Sequence, residues 1–208
     1  MNERISRPRG RPRGFDPDEV LDRVIPVFWA RGYEGASMED LTAAAGLARP
    51  SLYAAFGDKR GLFLAALDRY AATLGRGPVD ALAGAEAPDT GIRAFLDAAV
   101  DLVAGDGGRP HGCLLACAAA DAAECDAGVR ERLAAVMAAT EAAIVAWAVG
   151  WRASGMRPIV PDPEDLGPLL GTIMQGLAVR ARGGAVRADL QRVSASALVL
   201  LGAPQPGS

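Results

Sequence analysis

The chain has 208 residues, of which half are apolar and 23% are charged, with a formal net charge of −3 at pH 7. This composition excludes a disordered chain, a collagen-like chain and a disulfide-rich miniprotein, and the length fits one or two globular domains. The charge is uneven, with 12 basic and 10 acidic residues in residues 1–76 but 10 basic and 15 acidic residues in residues 77–208, which indicates two tasks in one chain.

The first predicted segment is a flexible basic arm over residues 1–14, which carries five arginines against one glutamate. Its sequence Pro8-Arg9-Gly10-Arg11-Pro12-Arg13 resembles the core of an AT-hook, a motif that lies along a narrow minor groove of DNA. The negative potential of that groove favours arginine, so Arg11 and Arg13 are predicted DNA contacts. The alternative is a solvated tail with only non-specific attraction to phosphates.

The first predicted helix begins at Asp16-Pro17, because aspartate can cap a helix and proline suits its first position. Apolar residues then recur with helical periodicity as far as Gly32. Pro26 lies inside this helix, where it is expected to introduce a kink or remove one hydrogen bond.

Three further helices are predicted before residue 76. The second begins at Ser37, with an acidic residue three positions later, and ends at Gly46. The third is predicted over Arg49 to Phe56, and the fourth begins at Asp58 and ends at Gly75. Residues 79–89 are small and predict a flexible connection, which places a domain boundary near Arg76.

The remainder of the chain predicts a helical body over residues 77–208, with no strand alternation of useful length. Helices are predicted near residues 90–104, 112–122, 127–154, 163–182 and 186–201. The fold class is therefore predicted to be all-α. No apolar run of ~18 residues and no signal peptide is recognised, so we expect a cytoplasmic protein without a membrane partner.

Residues 37–56 predict two short helices joined by Gly46-Leu47-Ala48, which is typical of a helix-turn-helix, although two packed surface helices would show the same pattern. Residues 15–75 resemble the DNA-binding region of TetR-family transcriptional regulators. The motifs that carry the resemblance are Gly32-Tyr33 after the first helix, Ala45-Gly46 in the turn, Leu52-Tyr53 in the third helix and Asp58-Lys59 at the start of the fourth. The resemblance implies an all-α homodimer with a DNA-binding domain over residues 15–76 and a larger ligand-binding and dimerisation domain over residues 77–208.

A recognition helix places its first side chains on base edges in the major groove of DNA. Arg49 can donate two hydrogen bonds to guanine, and Ala54 is small enough for close approach to a base. The predicted DNA-contacting residues of the helices are Arg49, Ser51, Tyr53, Ala54, Lys59 and Thr42. Ala48 departs from the family, which usually has a capping serine or threonine there, and losing that cap costs ~1 kcal/mol.

The last two predicted helices carry apolar stripes that could pair with a second copy, although both stripes could equally pack within one subunit. The predicted dimer residues are Leu170, Ile173, Met174, Leu177, Leu190, Val193 and Ala197. An effector pocket is expected between residues 58–74 and residues 90–154, with apolar walls that suit a lipophilic ligand. Its candidate lining residues, which could instead fill the core, are Phe95, Leu114, Cys117, Met137, Trp147, Trp151 and Met174.

The three cysteines, Cys113, Cys117 and Cys125, are an odd number and are expected to be reduced. Cys113 and Cys117 could share a helix face and act as a redox or electrophile sensor if one thiol has a lowered pKa, whereas buried structural cysteines are the commoner outcome. His111 with these cysteines matches no standard zinc spacing, so no metal or other cofactor is expected.

The sequence therefore predicts a ligand-responsive transcriptional repressor, released from a near-palindromic DNA operator by a small lipophilic effector. A thiol-based sensor using Cys113 is the first alternative, and a non-regulatory DNA-binding protein is a remote one, because the acidic body argues against DNA packaging. An enzyme is not expected, since no nucleophile elbow, P-loop, dinucleotide fingerprint or zinc-protease motif occurs in the sequence.

Overall fold

The computed structural model describes residues 14–105, 112–154 and 162–201, and within these ranges the chain forms helices and no strand. The first four helices are α1 (Pro17–Gly35), α2 (Met38–Ala45), α3 (Arg49–Phe56) and α4 (Lys59–Ala72). The remaining α-helices are α5 (Gly77–Ala83), α6 (Pro88–Ala104), α7 (Ala120–Cys125), α8 (Ala127–Ala153), α9 (Pro163–Arg182) and α10 (Arg187–Leu200). A 3₁₀ turn, Leu74–Arg76, follows α4, and a π-helical segment, Leu114–Ala119, precedes α7.

The first two helices are capped as the sequence predicts. The carboxylate of Asp16 accepts a hydrogen bond from the backbone N–H of Asp18 at 2.9 Å. Ser37 and Asp40 form a reciprocal capping box at the start of α2, which satisfies two backbone donors that a helix N-terminus leaves free. Gly46 ends α2 with φ +66°, a left-handed conformation that favours glycine.

A break in α1 was predicted at Pro26, but the structure has it at another residue. The residue with non-helical backbone angles is Gly32, with φ +70° and ψ 178°. Glycine adopts this conformation at little cost, so the change of direction falls on the residue that has no side chain. Pro26 itself is exposed.

The prediction of a flexible connection over residues 79–89 is wrong for the first half of that range, because Gly77–Ala83 forms α5. Pro78 and Leu82 are buried there, and Leu82 belongs to an apolar cluster that includes Ile92 of α6. Alanine favours a helix, Pro78 suits its first turn, and burial of this small apolar face stabilises it, although the neighbouring glycines and small residues indicated a connection. The fourth predicted helix also ends earlier than expected, at Ala72.

Two apolar clusters form the core of the described residues. The first contains Phe28, Leu52 and Phe63 from α1, α3 and α4, and it continues into Leu114 of the π-helical segment and Leu177 of α9. The second joins α5, α6, α8, α9 and α10 around buried side chains such as Phe95. The packing of the four N-terminal helices is therefore continuous with part of the body.

Polar contacts also connect the N-terminal helices with the body. Arg60 at the start of α4 donates to both carboxylate oxygens of Asp126, at 2.5 and 2.9 Å. Arg132 of α8 lies 3.2 Å from the carboxylate of Asp68 in α4. Arg182, the last residue of α9, donates from Nη1 to the backbone carbonyl of Trp29 in α1 at 2.9 Å.

The sequence predicted no segment that could cross a membrane, but one helix, α8, meets the criteria of length and composition. Ala127–Ala153 is long and apolar enough to do so by length and composition alone, and 11% of its most apolar window is buried. Many of its residues are alanine, which raises mean hydropathy without a continuous run of large apolar side chains. A single such helix is weak evidence for a membrane span.

Candidate nucleic-acid interface and apolar cavity

Helices α2 and α3 form a helix-turn-helix. Leu41 and Ala45 of α2 and Leu52 of α3 are buried in the first core, so the inner faces of both helices pack against the rest of the molecule. The turn consists of Gly46, Leu47 and Ala48, and α3 begins at Arg49 as predicted. This packing leaves the outer face of α3 exposed to solvent, as a recognition helix requires.

The start of α3 lacks a side-chain cap. Ala48 has the extended backbone angles of an N-cap residue, φ −67° and ψ 146°, but its methyl group accepts no hydrogen bond. This confirms that the cap expected from a serine or threonine is missing. Proline at the second position of the helix partly compensates, because Pro50 has no backbone N–H to satisfy.

The predicted base-contacting residues lie together on α3. Arg49 is exposed, and its Nε donates a hydrogen bond of 2.8 Å to the hydroxyl of Tyr53, one helical turn later. The guanidinium carbon of Arg49 also lies 5.2 Å from the centre of the Tyr53 ring. Ala54 is exposed and Ser51 is half-buried, so α3 presents a small surface with an arginine at its start.

The other two predicted contacts of the helices, Lys59 and Thr42, make local hydrogen bonds. Lys59 at the start of α4 donates from Nζ to the backbone carbonyl of Glu34 at 3.3 Å and lies 4.7 Å from the centre of the Tyr33 ring. Thr42 donates its hydroxyl proton to the carbonyl of Glu39 at 2.9 Å. Lys59 therefore holds the end of α1 next to the start of α4. Arg11 and Arg13 lie outside the described residues.

Two hydrogen bonds that the sequence did not predict fix α2 against α1. Arg31 of α1 donates to Asp40 of α2 at 2.6 Å, and Arg23 donates to the backbone carbonyl of Ala45 at 3.4 Å. The hydrogen bond from the Ser37 hydroxyl, and then the charge of Arg31, hold the pKa of Asp40 below its usual value. No sequence spacing pairs Arg31 with Asp40, since the contact depends on the angle between two helices.

A cavity of about 380 Å³ lies between the π-helical segment, α8 and α9. Its apolar walls include Leu115, Leu133, Val136, Met137 and Met174, whereas its polar side chains are Thr140, Glu141, Thr172 and Gln175. Its size falls in the range of small-molecule sites in proteins.

Two of the seven predicted pocket residues, Met137 and Met174, line this cavity. Phe95 and Leu114 are fully buried and fill the two cores. Trp147 and Trp151 pack on each other, with ring centres 6.4 Å apart, and Cys117 is half-buried outside the cavity lining. The cavity is lined by one side of α8 and one side of α9, and helical periodicity alone does not distinguish these sides from the core-facing ones.

The three cysteines are free thiols in different surroundings. Cys113 is buried and forms part of the cavity wall, Cys117 is half-buried and Cys125 is exposed. Burial raises the pKa of the Cys113 thiol, although the hydrogen bond from Tyr70 opposes this. A raised pKa lowers the fraction of the reactive thiolate. His111 lies outside the described residues, and within the described ranges no group of three or more histidine, cysteine or acidic residues could hold a metal ion.

The predicted dimer residues are mostly internal. Leu170, Leu177, Leu190 and Ala197 are buried within the subunit, and Ile173, Met174 and Val193 are half-buried. The four buried side chains therefore form the core of one subunit, and a second copy could not reach them. The large apolar side chains that α9, α10 and the turn between them expose are Leu169, Val179, Val186, Val199 and Leu200.

Comparison with known proteins gives consistent results over this chain. The family described as "Bacterial regulatory proteins, tetR family" matches residues 21–66, which span most of α1 to α4. The HTH-type transcriptional repressor ComR of Escherichia coli (strain K12) is 31% identical over 196 residues, which cover 94% of this chain and 93% of ComR.

Two solved structures extend the comparison to the fold. The TetR family transcriptional regulator CifR, solved as a cysteine mutant complexed with a 26-base-pair double-strand operator DNA, is 38% identical to this chain with a TM-score of 0.78. That match covers 90% of this chain and 98% of CifR. A TetR transcriptional regulator from Chloroflexus aurantiacus J-10-FL is 28% identical with a TM-score of 0.76, over 89% of this chain and 93% of that one.

Proposed function

This chain belongs to the TetR family of bacterial transcriptional regulators, and we propose that it is a dimeric repressor that a small lipophilic ligand releases from a near-palindromic operator. The observation that carries the proposal is the outer face of α3, the second helix of the helix-turn-helix, which presents exposed Arg49 next to half-buried Tyr53. A repressor is favoured because ComR, similar over nearly its whole length, is named a repressor. A non-regulatory DNA-binding protein does not agree with this family.

We assign sequence reading to α3 and backbone contacts to its surroundings. Arg49 is the candidate for bidentate bonding to guanine, with Ser51 and Ala54 close to the base edges. Tyr53 is placed to offer its hydroxyl to a phosphate once DNA displaces the bond from Arg49. Lys59 and Thr42 are proposed phosphate contacts, and so are Arg11 and Arg13 along the minor groove.

The proposed organisation has three parts. Residues 1–14 form an arm, residues 15–76 the DNA-binding domain, and residues 77–208 the effector-binding and dimerisation domain. The uneven charge supports this division, since the first 76 residues carry more basic than acidic groups and the rest carry more acidic ones. A protein of this kind acts on chromosomal DNA, so we place it in the cytoplasm and assign it no catalytic activity.

Dimerisation is proposed through the exposed apolar residues of α9, α10 and the turn that joins them. Val186, Val199 and Leu200 are 56%, 57% and 86% exposed, which is unusual for large apolar side chains grouped near two adjacent helices. A two-fold dimer formed there would carry two copies of α3, and these would read two half-sites one or more DNA turns apart.

Release by a ligand is proposed to act through the π-helical segment. One side of this segment, with Leu115 and Ala116, lines the cavity, and the segment also packs against α1 and α4. A ligand shifts the equilibrium only if it binds one conformation better than the other. A ligand in the cavity would favour a placement of α1 and α4 in which the two α3 helices no longer match the DNA. Short π-helical segments are frequent at functional sites.

Thiol sensing by Cys113, with Cys117 as partner, is the weaker candidate. Cys113 does line the cavity, so a small electrophile that entered would meet its sulfur. Its burial and raised pKa nevertheless make it a poor nucleophile, and redox-sensing cysteines are accessible and acidic. Non-covalent binding therefore accounts better for this cavity.

Transcription in vitro from the promoter upstream of this protein's own gene tests the proposal. The wild-type protein is expected to reduce the transcript in a concentration-dependent way, and Arg49→Ala is expected to lose that effect. Arg152→Ala serves as a control, because it removes an exposed positive charge at the end of α8, outside α3 and the proposed dimer surface. An increase in transcript with the wild-type protein would identify an activator and overturn the proposed repression.

A further inference from the structure

We propose that the cavity between the π-helical segment, α8 and α9 binds an apolar organic cation, with Glu141 as its counter-ion. This rests on the proposed release by a lipophilic ligand and adds the charge and the recognition group of that ligand. The same cavity could in principle take a neutral or an anionic molecule. The polar side chains of its wall decide between these classes.

The carboxylate of Glu141 lies where α8 and α9 approach each other closely. A Cβ atom built on Gly167 would lie 2.8 Å from the backbone oxygen of Glu141, so only glycine allows this approach. A Cβ atom built on Gly171 would lie 3.5 Å from Oε1 of Glu141. The two glycines thus bring the acidic side chain over α9, on the wall of the cavity.

Glu141 has no hydrogen bond or ion pair within the part of the chain that the structure describes, although it is partly buried. By contrast, the partly buried carboxylates of Asp126 and Asp40 are paired with Arg60 and Arg31. The carboxylate of Glu141 stands on the wall of the cavity with no positive partner among the described residues, so a cation bound there would form a charge-assisted hydrogen bond with it.

The neighbouring polar groups also favour a ligand that donates hydrogen bonds. The hydroxyl proton of Thr140 is already donated to the carbonyl of Val136 at 3.0 Å, so this hydroxyl offers only its lone pairs to a ligand. Gln175 of α9 can accept through its carbonyl oxygen or donate through its amide NH2, so it suits either kind of ligand. An ammonium group, with three donors and no acceptor, matches the acceptors of Glu141 and Thr140 better than a carboxylate does.

The other residues that line the cavity favour a ligand with an apolar body. Leu133, Val136, Met137 and Met174 form apolar walls, and the thioethers of the two methionines adapt to ligands of different shape. No lysine, arginine or histidine stands among the described residues that line the cavity. An anionic ligand would therefore meet a carboxylate and no positive side chain.

Three probes with one scaffold and different head groups test the charge of the ligand. The probes are 4-phenylbutylamine, 4-phenylbutanol and 4-phenylbutyrate, which at pH 7 are a cation, a neutral molecule and an anion. The dissociation constants are measured by isothermal titration of the full-length wild-type protein. We expect the amine to bind at least tenfold more tightly than the alcohol, and the butyrate to bind most weakly. Equal affinity for the three, tighter binding of the anion, or no binding of the amine would overturn the proposal.

Two variants test the assignment to Glu141. Glu141→Gln keeps the size of the side chain and removes its charge. We therefore expect the affinity for the amine to fall at least tenfold and the affinity for the alcohol to change little. Glu131→Gln is the matched control, because Glu131 is exposed on the same helix and lies outside the cavity lining, and it should leave both affinities unchanged. An unchanged affinity of Glu141→Gln for the amine would refute the role of Glu141.

Binding and release are measured separately, so the two proposals can fail independently. Competition with labelled operator DNA reports whether the bound amine lowers operator affinity. Charge-dependent binding that requires Glu141 but leaves operator affinity unchanged supports the cation site and overturns ligand-controlled repression. Operator release by the neutral alcohol, with no preference for the amine, supports ligand control and overturns the cation site.

Discussion

The hydroxyl of Tyr70 in α4 donates a hydrogen bond to the sulfur of Cys113, 3.4 Å away, and both residues are buried. Cys113 directly precedes the π-helical segment and also forms part of the cavity wall. This contact joins the helix that supports the DNA-binding region to the wall that a ligand would touch. Burial raises the pKa of the Tyr70 phenol well above its ordinary value, so Tyr70 remains a donor throughout the physiological range.

Tyr70→Phe is expected to lower the free energy of unfolding by about 0.5–1 kcal/mol, because one buried hydrogen bond is lost while the ring is kept. A double-mutant cycle with Cys113→Ala, followed by denaturant unfolding, isolates the pairwise contribution. We expect a positive coupling of the same size. Operator affinity without ligand should stay within about twofold, because neither side chain faces the DNA. Additive effects of the two substitutions would show that the contact contributes nothing to stability.

The pair of Arg60 and Asp126 predicts a dependence of stability on pH. Hydrogen bonding by Arg60 lowers the pKa of Asp126 to about 2. Because this is below the value of about 3.9 for an unfolded chain, the pair stabilises the protein above pH ~4. Its contribution is lost as the pH falls from ~4 to about 2.

Asp126→Asn retains an oxygen that can accept from Val129 N–H at the start of α8, and it removes the charge. The variant should be less stable than wild type at pH 7, and the difference in free energy of unfolding should shrink as the pH is lowered to about 2. Asp97→Asn, at an exposed position of α6, is the control. A difference between Asp126→Asn and wild type that is the same at pH 7 and at pH 3 would contradict this account.

The missing cap of α3 can be restored. Ala48 already has the backbone angles of an N-cap residue, so Ala48→Ser should stabilise the protein by about 1 kcal/mol and raise Tm by about 2–4 °C. Thermal unfolding followed by circular dichroism measures this shift. Ala43→Ser introduces the same side chain on the exposed face of α2, within the helix, and should be slightly destabilising. Equal Tm changes for both variants would argue against a capping effect.

The helix-turn-helix could be predicted from the sequence because its signals are local. Capping residues, the glycine that ends α2 and the small residues of α3 act within a few positions of one another, and the structure places the start of α3 at the predicted residue, Arg49. The bond between Arg31 and Asp40 was not predictable, since it depends on the angle between α1 and α2.

The cavity and the exposed surface of α9 were harder to predict for a physical reason. Both sides of α9 carry apolar residues, so helical periodicity does not tell which side faces the core, the cavity or solvent. Leu170 and Leu177 are buried, Met174 lines the cavity, and Leu169 is exposed. Helix α5 was missed because burial of Leu82, rather than its propensity, stabilises it.

The proposed dimer surface leads to a prediction about assembly. Val199→Glu places a charge among the exposed apolar residues of α10 and should increase the dissociation constant of the dimer, because burying an unpaired carboxylate is costly. Val149→Glu is a matched control at a similarly exposed valine of α8, which is 50% exposed. Sedimentation velocity over a dilution series measures both. A dimer equally stable in both variants and in wild type would place the interface elsewhere.

The most direct test of the account is binding to DNA from upstream of the protein's own gene, titrated with salt and combined with footprinting. We expect a protected, near-palindromic site. The double variant Tyr53→Ala with Lys59→Ala should weaken binding by about 1–3 kcal/mol and reduce the salt dependence, whereas Arg152→Ala, at the exposed end of α8, should do neither. Equal binding to random DNA would contradict sequence reading by α3, and unchanged binding of the double variant would contradict the phosphate contacts assigned to Tyr53 and Lys59.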